Sequence, residues 1–261
     1  GPLKDRNFRG VLRYIAFWNF ALNLAGPFFI VYLLDRIRLP LSMVTMLVVT
    51  SQATNLVFLR IWGKLADRYS NKSVLRVSGP MFLLAILLWT FTTLPDRHAL
   101  TVPLLFAIHV LSGMSAAGVS LATANIALKL SPQGQAHSYM TVYGLAGAVT
   151  GAIAPMLGGV FADFFATREL SIQLNWAQAD QAVSVYALNL KALDFLFLLT
   201  FILGLLSLRF LGKVAEQGEV SEKVVRQELL SETFATVRTV GTVPGLRHLI
   251  AGPVSAMHWL L

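Results

Sequence analysis

Residues 63–76 read Gly63-Lys64-Leu65-Ala66-Asp67-Arg68-Tyr69-Ser70-Asn71-Lys72-Ser73-Val74-Leu75-Arg76, the densest island of charge between two long apolar runs. Long apolar runs at about 41–62 and 74–94 meet at it. Charged residues between two membrane-length apolar runs must face water, so this stretch is the solvated joint of two spanning segments and the reference point for topology.

Composition sets the same class. Of 261 residues, 56% are hydrophobic and 13% charged, and the mean hydropathy is +0.65. Soluble chains carry about a quarter charged residues, so the reading is an integral membrane protein whose first partner is the lipid bilayer. The net charge of +8 does not point to nucleic acid, because in such a chain the placement of Lys and Arg among the loops carries the information. Without Cys there is no disulfide framework, thiolate metal site or cysteine nucleophile. The five His are scattered, and the chain has no phosphate-binding Gly-x-x-x-x-Gly-Lys-Ser/Thr, no Gly-x-Ser-x-Gly and no His-Glu-x-x-His. No metal, cofactor or enzymatic activity is therefore expected. The chain begins Gly1-Pro2-Leu3 without Met. Its first residues lack a signal-peptide pattern, and the start reads as a processed end or as the continuation of a longer protein.

A spanning helix needs about 20 mostly apolar residues. Six stretches qualify, at about 11–34, 41–62, 74–94, 99–128, 138–161 and 185–210, and their length excludes barrel strands. The expected fold is an all-α, six-helix membrane bundle over 11–211, with a basic lead-in at 1–10 and a tail at 212–261. One side collects Lys4, Arg6, Arg9, Arg13, Arg60, Lys64, Arg68, Lys72, Arg76, Lys129, Arg209 and Lys213. The other has Arg36, Arg38, Arg97, Arg168 and Lys191, diluted by Asp35, Asp96, Asp163 and Asp180. The positive-inside rule puts both termini and the 63–76 joint in the cytoplasm. The outer connection 166–182 is expected to be a solvated polar loop, and Lys191 and Asp194, three residues apart, a local ion pair.

In the tail, Ser221 is placed to cap a helix with Glu222 in its first turn. Val225, Leu229, Phe234 and Val237 fall near one face, opposite Lys223, Arg226 and Glu232. This predicts an amphipathic helix on the inner surface, broken at Gly241 and Pro244-Gly245. The last apolar piece, 249–261, is too short to span and is cut by Gly252-Pro253, so it reads as interfacial or docked.

By spacing alone, residues 63–76 are equally an ordinary positively charged turn. The stretch resembles, however, the signature loop between the second and third helices of each half of major facilitator superfamily transporters, Gly-x-Leu-Ala-Asp-Arg-x-Gly-Arg-Lys. Gly63, Leu65, Ala66, Asp67, Arg68 and Lys72 match, while Ser70 and Asn71 replace the second Gly and the Arg. The resemblance implies a cytoplasmic gate of Gly63, Asp67, Arg68 and Lys72, with Asp67 as the latch between two six-helix halves. In the fifth span, Gly147, Gly151, Pro155, Gly158 and Gly159 allow close helix approach and a bend. Gly151-x-x-x-Pro155-x-x-Gly158-Gly159 resembles the family's Gly-Pro-x-x-Gly-Gly element. The fourth span has His109-x-x-x-Gly113 where first halves often carry Arg, which aligns the chain with the carboxy-terminal half of a twelve-helix transporter.

Asn19, Asn23, Gln52, Asn55 and His109 lie in the spans, with Tyr143 lower in the fifth. Buried polar side chains in hydrocarbon need partners, so each either bonds a neighbouring helix or lines a watery cavity; by resemblance these are substrate or cavity candidates. The implied function is half of a secondary transporter for a small solute, whose partner is an amino-terminal half, a second copy or another membrane subunit. The competing reading is a non-transporting membrane subunit or assembly factor with the same half fold.

Overall fold

The computed structural model of the chain describes residues 1–94, 96–178 and 181–241. The expected breaks at Pro244-Gly245 and Gly252-Pro253 and the docked segment 249–261 lie outside the described residues, as does the side chain of Val237. Helix α1 runs Arg6–Ala25 and is continued past Pro27 by α2, Phe28–Val31, and a π-helical turn, Tyr32–Arg36. Then follow α3 (Leu41–Arg68), α4 (Asn71–Trp89), α5 (Thr101–Lys129) and α6 (Ala136–Phe165). A hairpin of β1 (Glu169–Gln178) and β2 (Gln181–Lys191) precedes α7 (Leu193–Gly212) and α8 (Glu222–Gly241). Six segments are long and apolar enough to cross a membrane: Arg6–Arg36, α3, α4, α5, α6 and α7.

The ends of these helices follow local chemistry. Asp5 caps α1 by accepting the N–H groups of Asn7 and Phe8 at 2.9 and 3.0 Å. Ser70 caps α4 in extended backbone, its hydroxyl accepting the Ser73 N–H at 3.1 Å. The turn between α3 and α4 therefore needs no left-handed residue at position 70, which explains why Ser stands where the family loop has Gly.

The bundle forms because α5 packs against both α3 and α4, α1 against α6 and α7, and α4 against α7. At the α3–α5 seam a Cβ on Gly113 would run into the Ser51 carbonyl oxygen. That close approach lets Asn55 Nδ2 donate to Gly113 O at 3.3 Å and Trp62 Nε1 donate to Met114 O at 2.8 Å. Toward the far end, Phe29 stacks on Phe197 at 4.7 Å, and Tyr32 and Trp89 pack edge-on to each other at 5.9 Å. Trp18, Trp62 and Trp89 are all buried packing residues.

Three expectations fail around the hairpin: the polar loop, the start of the last span and a local ion pair. Residues 169–178 and 181–191 are paired strands, with Leu170 opposite Leu190 and Ile172 opposite Leu188, because their alternating apolar pattern suits an extended strand. The last span accordingly starts at Leu193, not near 185. Lys191 and Asp194 make no ion pair: Lys191 ends a strand, and its ammonium lies 3.2 Å from Glu169. The fully buried Asp194 carboxylate accepts the Lys191 backbone N–H at 2.9 Å. The third span also ends early, at Trp89, as the chain turns through Thr90 to Thr93.

Gly113→Ala is expected to cost about 2 kcal/mol through overpacking at the α3–α5 seam, whereas Gly159→Ala, with open space around its Cβ position, leaves stability unchanged. Melting curves of the two variants in detergent test this.

Candidate functional site

The basic joint is bound by the chain's own tail. The Lys72 side chain is 5% exposed, and its ammonium lies 2.8 Å from Glu219 and donates to the Val214 carbonyl. Lys72 N donates to Glu216 Oε2 at 2.7 Å and Asn71 Nδ2 to Glu216 Oε1 at 3.0 Å. Lys129, from the end of α5, completes the neutralisation of Glu216 at 3.0 Å. Asn71 thus accounts for the second departure from the family loop: an amide suits Glu216 where the loop has a cation. Between the two acids, Gly218 has φ of 83° and sits so close to Tyr69 O that a Cβ would lie 2.8 Å away. Any side chain there is strained and crowded.

Farther along the tail, Glu228 pairs with Arg68 at 3.3 Å and Glu232 with Lys64 at 2.8 Å. These acids are four residues apart, so they share one face of α8. Val225 and Leu229 anchor that helix in the core, and α8 rests on α3 and α4. Phe234 departs from the expected apolar face and is 72% exposed, while Ser221 accepts the Val224 and Val225 N–H groups through its carbonyl, not its hydroxyl. Of the gate residues, Lys72 is buried, Arg68 is paired, and Gly63 is half-buried with Leu121 Cδ1 4.0 Å from its Cβ position. Asp67 is exposed beside a cleft with Asn71, Asn125 and Lys129. It has no hydrogen bond or ion pair among the described residues.

The polar candidates separate into two groups. Asn19 and Tyr143 line a cavity of about 330 Å³ between α1, α4, α5 and α6, with Trp18, Phe82, Ser120 and Thr123. Thr123 is buried beside the hydroxyl of Tyr14, whose ring packs on Trp18 at 5.9 Å. Asn23 turns away, its Nδ2 donating to Asn19 O at 2.8 Å, and Asn55 is spent on the α3–α5 seam. His109 is buried against Trp89 at 5.6 Å, with Nδ1 donating to Leu105 O at 2.7 Å. These are the contacts of satisfied packing groups. Gln52 is exposed on α3, with no hydrogen bond among the described residues.

Along α6, a Cβ on Gly158 would run into the Leu24 carbonyl and one on Gly147 would lie 3.3 Å from Asn19 Nδ2, so both serve the contact with α1. Gly144, Gly151 and Gly159 have nothing within 4 Å of their Cβ positions, and Pro155 lies half-buried between. Half of the small-residue motif thus packs inside this bundle, and half faces outward.

Sequence reasoning missed Glu216, Glu219, Glu228 and Glu232 as partners of the joint, although a basic loop and an acidic tail on one side are complementary charges. It also missed Ser120 and Thr123, because hydroxyls spaced along an apolar helix look like any others.

Six membrane-crossing helices joined by this charged turn define a multi-pass integral membrane protein of the transporter type. The family model of the Major Facilitator Superfamily matches residues 14–254, and the chain belongs to that superfamily. No curated protein matches the chain.

Lys72→Met is expected to cost about 2 kcal/mol, because it leaves Glu219 without its cation and the Val214 carbonyl without a donor. Lys64→Met, which removes an exposed pair, costs under about 1 kcal/mol; melting temperatures compare them. Burial pushes the Glu219 carboxyl up. Bonds from Lys72 and the Glu216 N–H, with the charges of Lys72 and Arg76, outweigh this and hold it below its ordinary 4.5. A depressed carboxylate stabilises above its unfolded value and loses that contribution as pH falls through the folded one. The 213–221 segment is therefore expected to become protease-sensitive only below about pH 4.5, read by limited proteolysis across pH.

Proposed function

We propose that this chain is half of a secondary transporter, and that the open faces of α3 and α6 meet a second six-helix unit. Gln52 carries this reading. A primary amide on an otherwise apolar helix face is costly against lipid and needs a polar partner or water, and none is within this bundle among the described residues. The open glycines Gly144, Gly151 and Gly159 add to it, since small residues let another backbone come close. Asp67, exposed on the same end as the tail clamp, is then the gate residue left available for the other half, while Lys72 is held by its own chain. The 330 Å³ cavity supplies this half's share of a small-solute path, with Asn19 and Tyr143 as its polar contacts. Alternating access by rocking two such halves requires the partner, which is an amino-terminal half or a second copy. The orientation that accompanies this reading has both ends of the bundle's chain in the cytoplasm.

The second reading, a membrane subunit without transport, draws on Asn23, Asn55 and His109. All three are satisfied inside the bundle and so are not free for a solute.

Because the chain has no Cys, single-cysteine variants carry one reactive site. Gln52→Cys is expected to react with a membrane-impermeant thiol reagent when the chain is alone and to be protected when the second unit is co-expressed, while His109→Cys stays unreactive in both. Equal reactivity of Gln52→Cys in the two preparations sinks the interface. Uptake into liposomes by a monodisperse lone chain sinks the half-transporter reading.

A further inference from the structure

At the end of the bundle that carries the basic joint, a groove of about 660 Å³ opens between α1 and α7, with Arg6, Arg13 and Lys213 around it. Their convergence is built in. Arg6, Gly10 and Arg13 recur at intervals of four and three, which places them on one face of α1, and Lys213 follows directly on α7, the helix packed against that face. Gly10 forms the floor, where a Cβ would lie 3.1 Å from Val214 Cγ2. Asn7 fixes the rim by a two-way bond to Ala215, donating through Nδ2 to its carbonyl and accepting its N–H through Oδ1, both at 2.8 Å.

None of the three cations has a hydrogen bond or ion pair among the described residues. The nearby acids are spent. Asp5 accepts the Asn7 and Phe8 N–H groups and the Tyr139 hydroxyl, and Glu216 is taken by Asn71, Lys72 and Lys129. One helical turn beyond Arg13, about 6 Å along the axis, Phe17 packs on Phe210 with ring centroids 5.0 Å apart, and Phe17 is 36% exposed. The groove thus grades from converging positive charge to an aromatic pair in which Phe17 is exposed and Phe210 half-buried, in the direction that leads from the membrane surface into hydrocarbon.

We propose that this groove binds one anionic phospholipid, its phosphate between Arg6, Arg13 and Lys213 and its first acyl carbons against Phe17 and Phe210. A single arginine at a helix end is explained by snorkelling to the headgroup layer. Three cations sharing one groove repel one another, and a bound phosphate relieves that repulsion with charge-assisted bonds that the guanidinium fork can make in pairs. Basic pockets between spanning helices select anionic headgroups in this way. The aromatic pair favours a lipid over a free anion, because it contributes nothing to inorganic phosphate.

The test is native mass spectrometry of the full chain in neutral detergent, titrated with phosphatidylglycerol or with phosphatidylcholine of the same acyl chains. One phosphatidylglycerol is expected to be retained in preference to phosphatidylcholine. Arg13→Ala/Lys213→Ala lowers that retention by roughly fivefold per cation removed. Arg60→Ala/Arg226→Ala, which removes the same charge elsewhere at this end, leaves it unchanged, and Arg13→Lys/Lys213→Arg keeps most of it even if the alanine variant fails to fold. Equal retention of both lipids by the unaltered chain overturns the proposal, as does an equal loss in the two alanine variants. Displacement of the lipid by millimolar inorganic phosphate overturns the lipid assignment in favour of a free-anion site.

Discussion

A buried ammonium at the start of α4 has to be neutralised, and the arrangement of this end of the molecule follows from that requirement. Lys72 is 5% exposed at the side chain, and an unpaired charge so placed would be expelled or deprotonated. Glu219 and the Val214 carbonyl meet it, and Glu216 accepts the Lys72 backbone N–H, which together draw the 213–221 segment across the turn between α3 and α4. Gly218, with its positive φ and its contact with Tyr69 O, is the residue that permits that path. Once the segment is held, α8 can start only where it does, and the outer pairs to Lys64 and Arg68 become guides more than sources of stability.

The same clamp divides the labour within the basic joint. Lys72 acts inside the chain, Arg68 faces the tail, and Asp67 remains exposed without a partner among the described residues. A similar division runs through the bundle. Helix α5 is buried between α3 and α4, whereas α3 and α6 each leave an apolar face open, with Leu56 and Met156 over 70% exposed. Seams built on close backbone approach, at Gly113 and Gly158, bring the helices near enough for side-chain amides and indoles to donate to neighbouring carbonyls. That is why Asn55 and Trp62 serve packing and not a cavity.

Much of the fold was legible because a bilayer imposes a simple rule: about 20 apolar residues in a row make a span. All six spanning helices overlap the stretches read from hydropathy, and the signature loop named the family. The last span was misjudged because residues 185–191 are apolar enough for a helix yet pair with β1, a non-local contact that no window of sequence contains. The site was less legible. Asn19 and Tyr143 do line one cavity, but the choice among Asn23, Gln52, Asn55 and His109 depended on helix rotation, which a run of apolar residues on every face does not specify.

Sequence by itself determined the class of molecule, the number of crossings and the location of the charged joint, since each depends only on transfer of residues between water and hydrocarbon. Tertiary structure decided which of the joint's charges are spent within the chain, which polar side chains are satisfied and which groove gathers unpaired cations. Those outcomes rest on distances of about 3 Å between groups far apart in the chain, as between Lys72 and Glu219, and hydrogen bonds and ion pairs are short-ranged interactions that only the packed helices bring into reach.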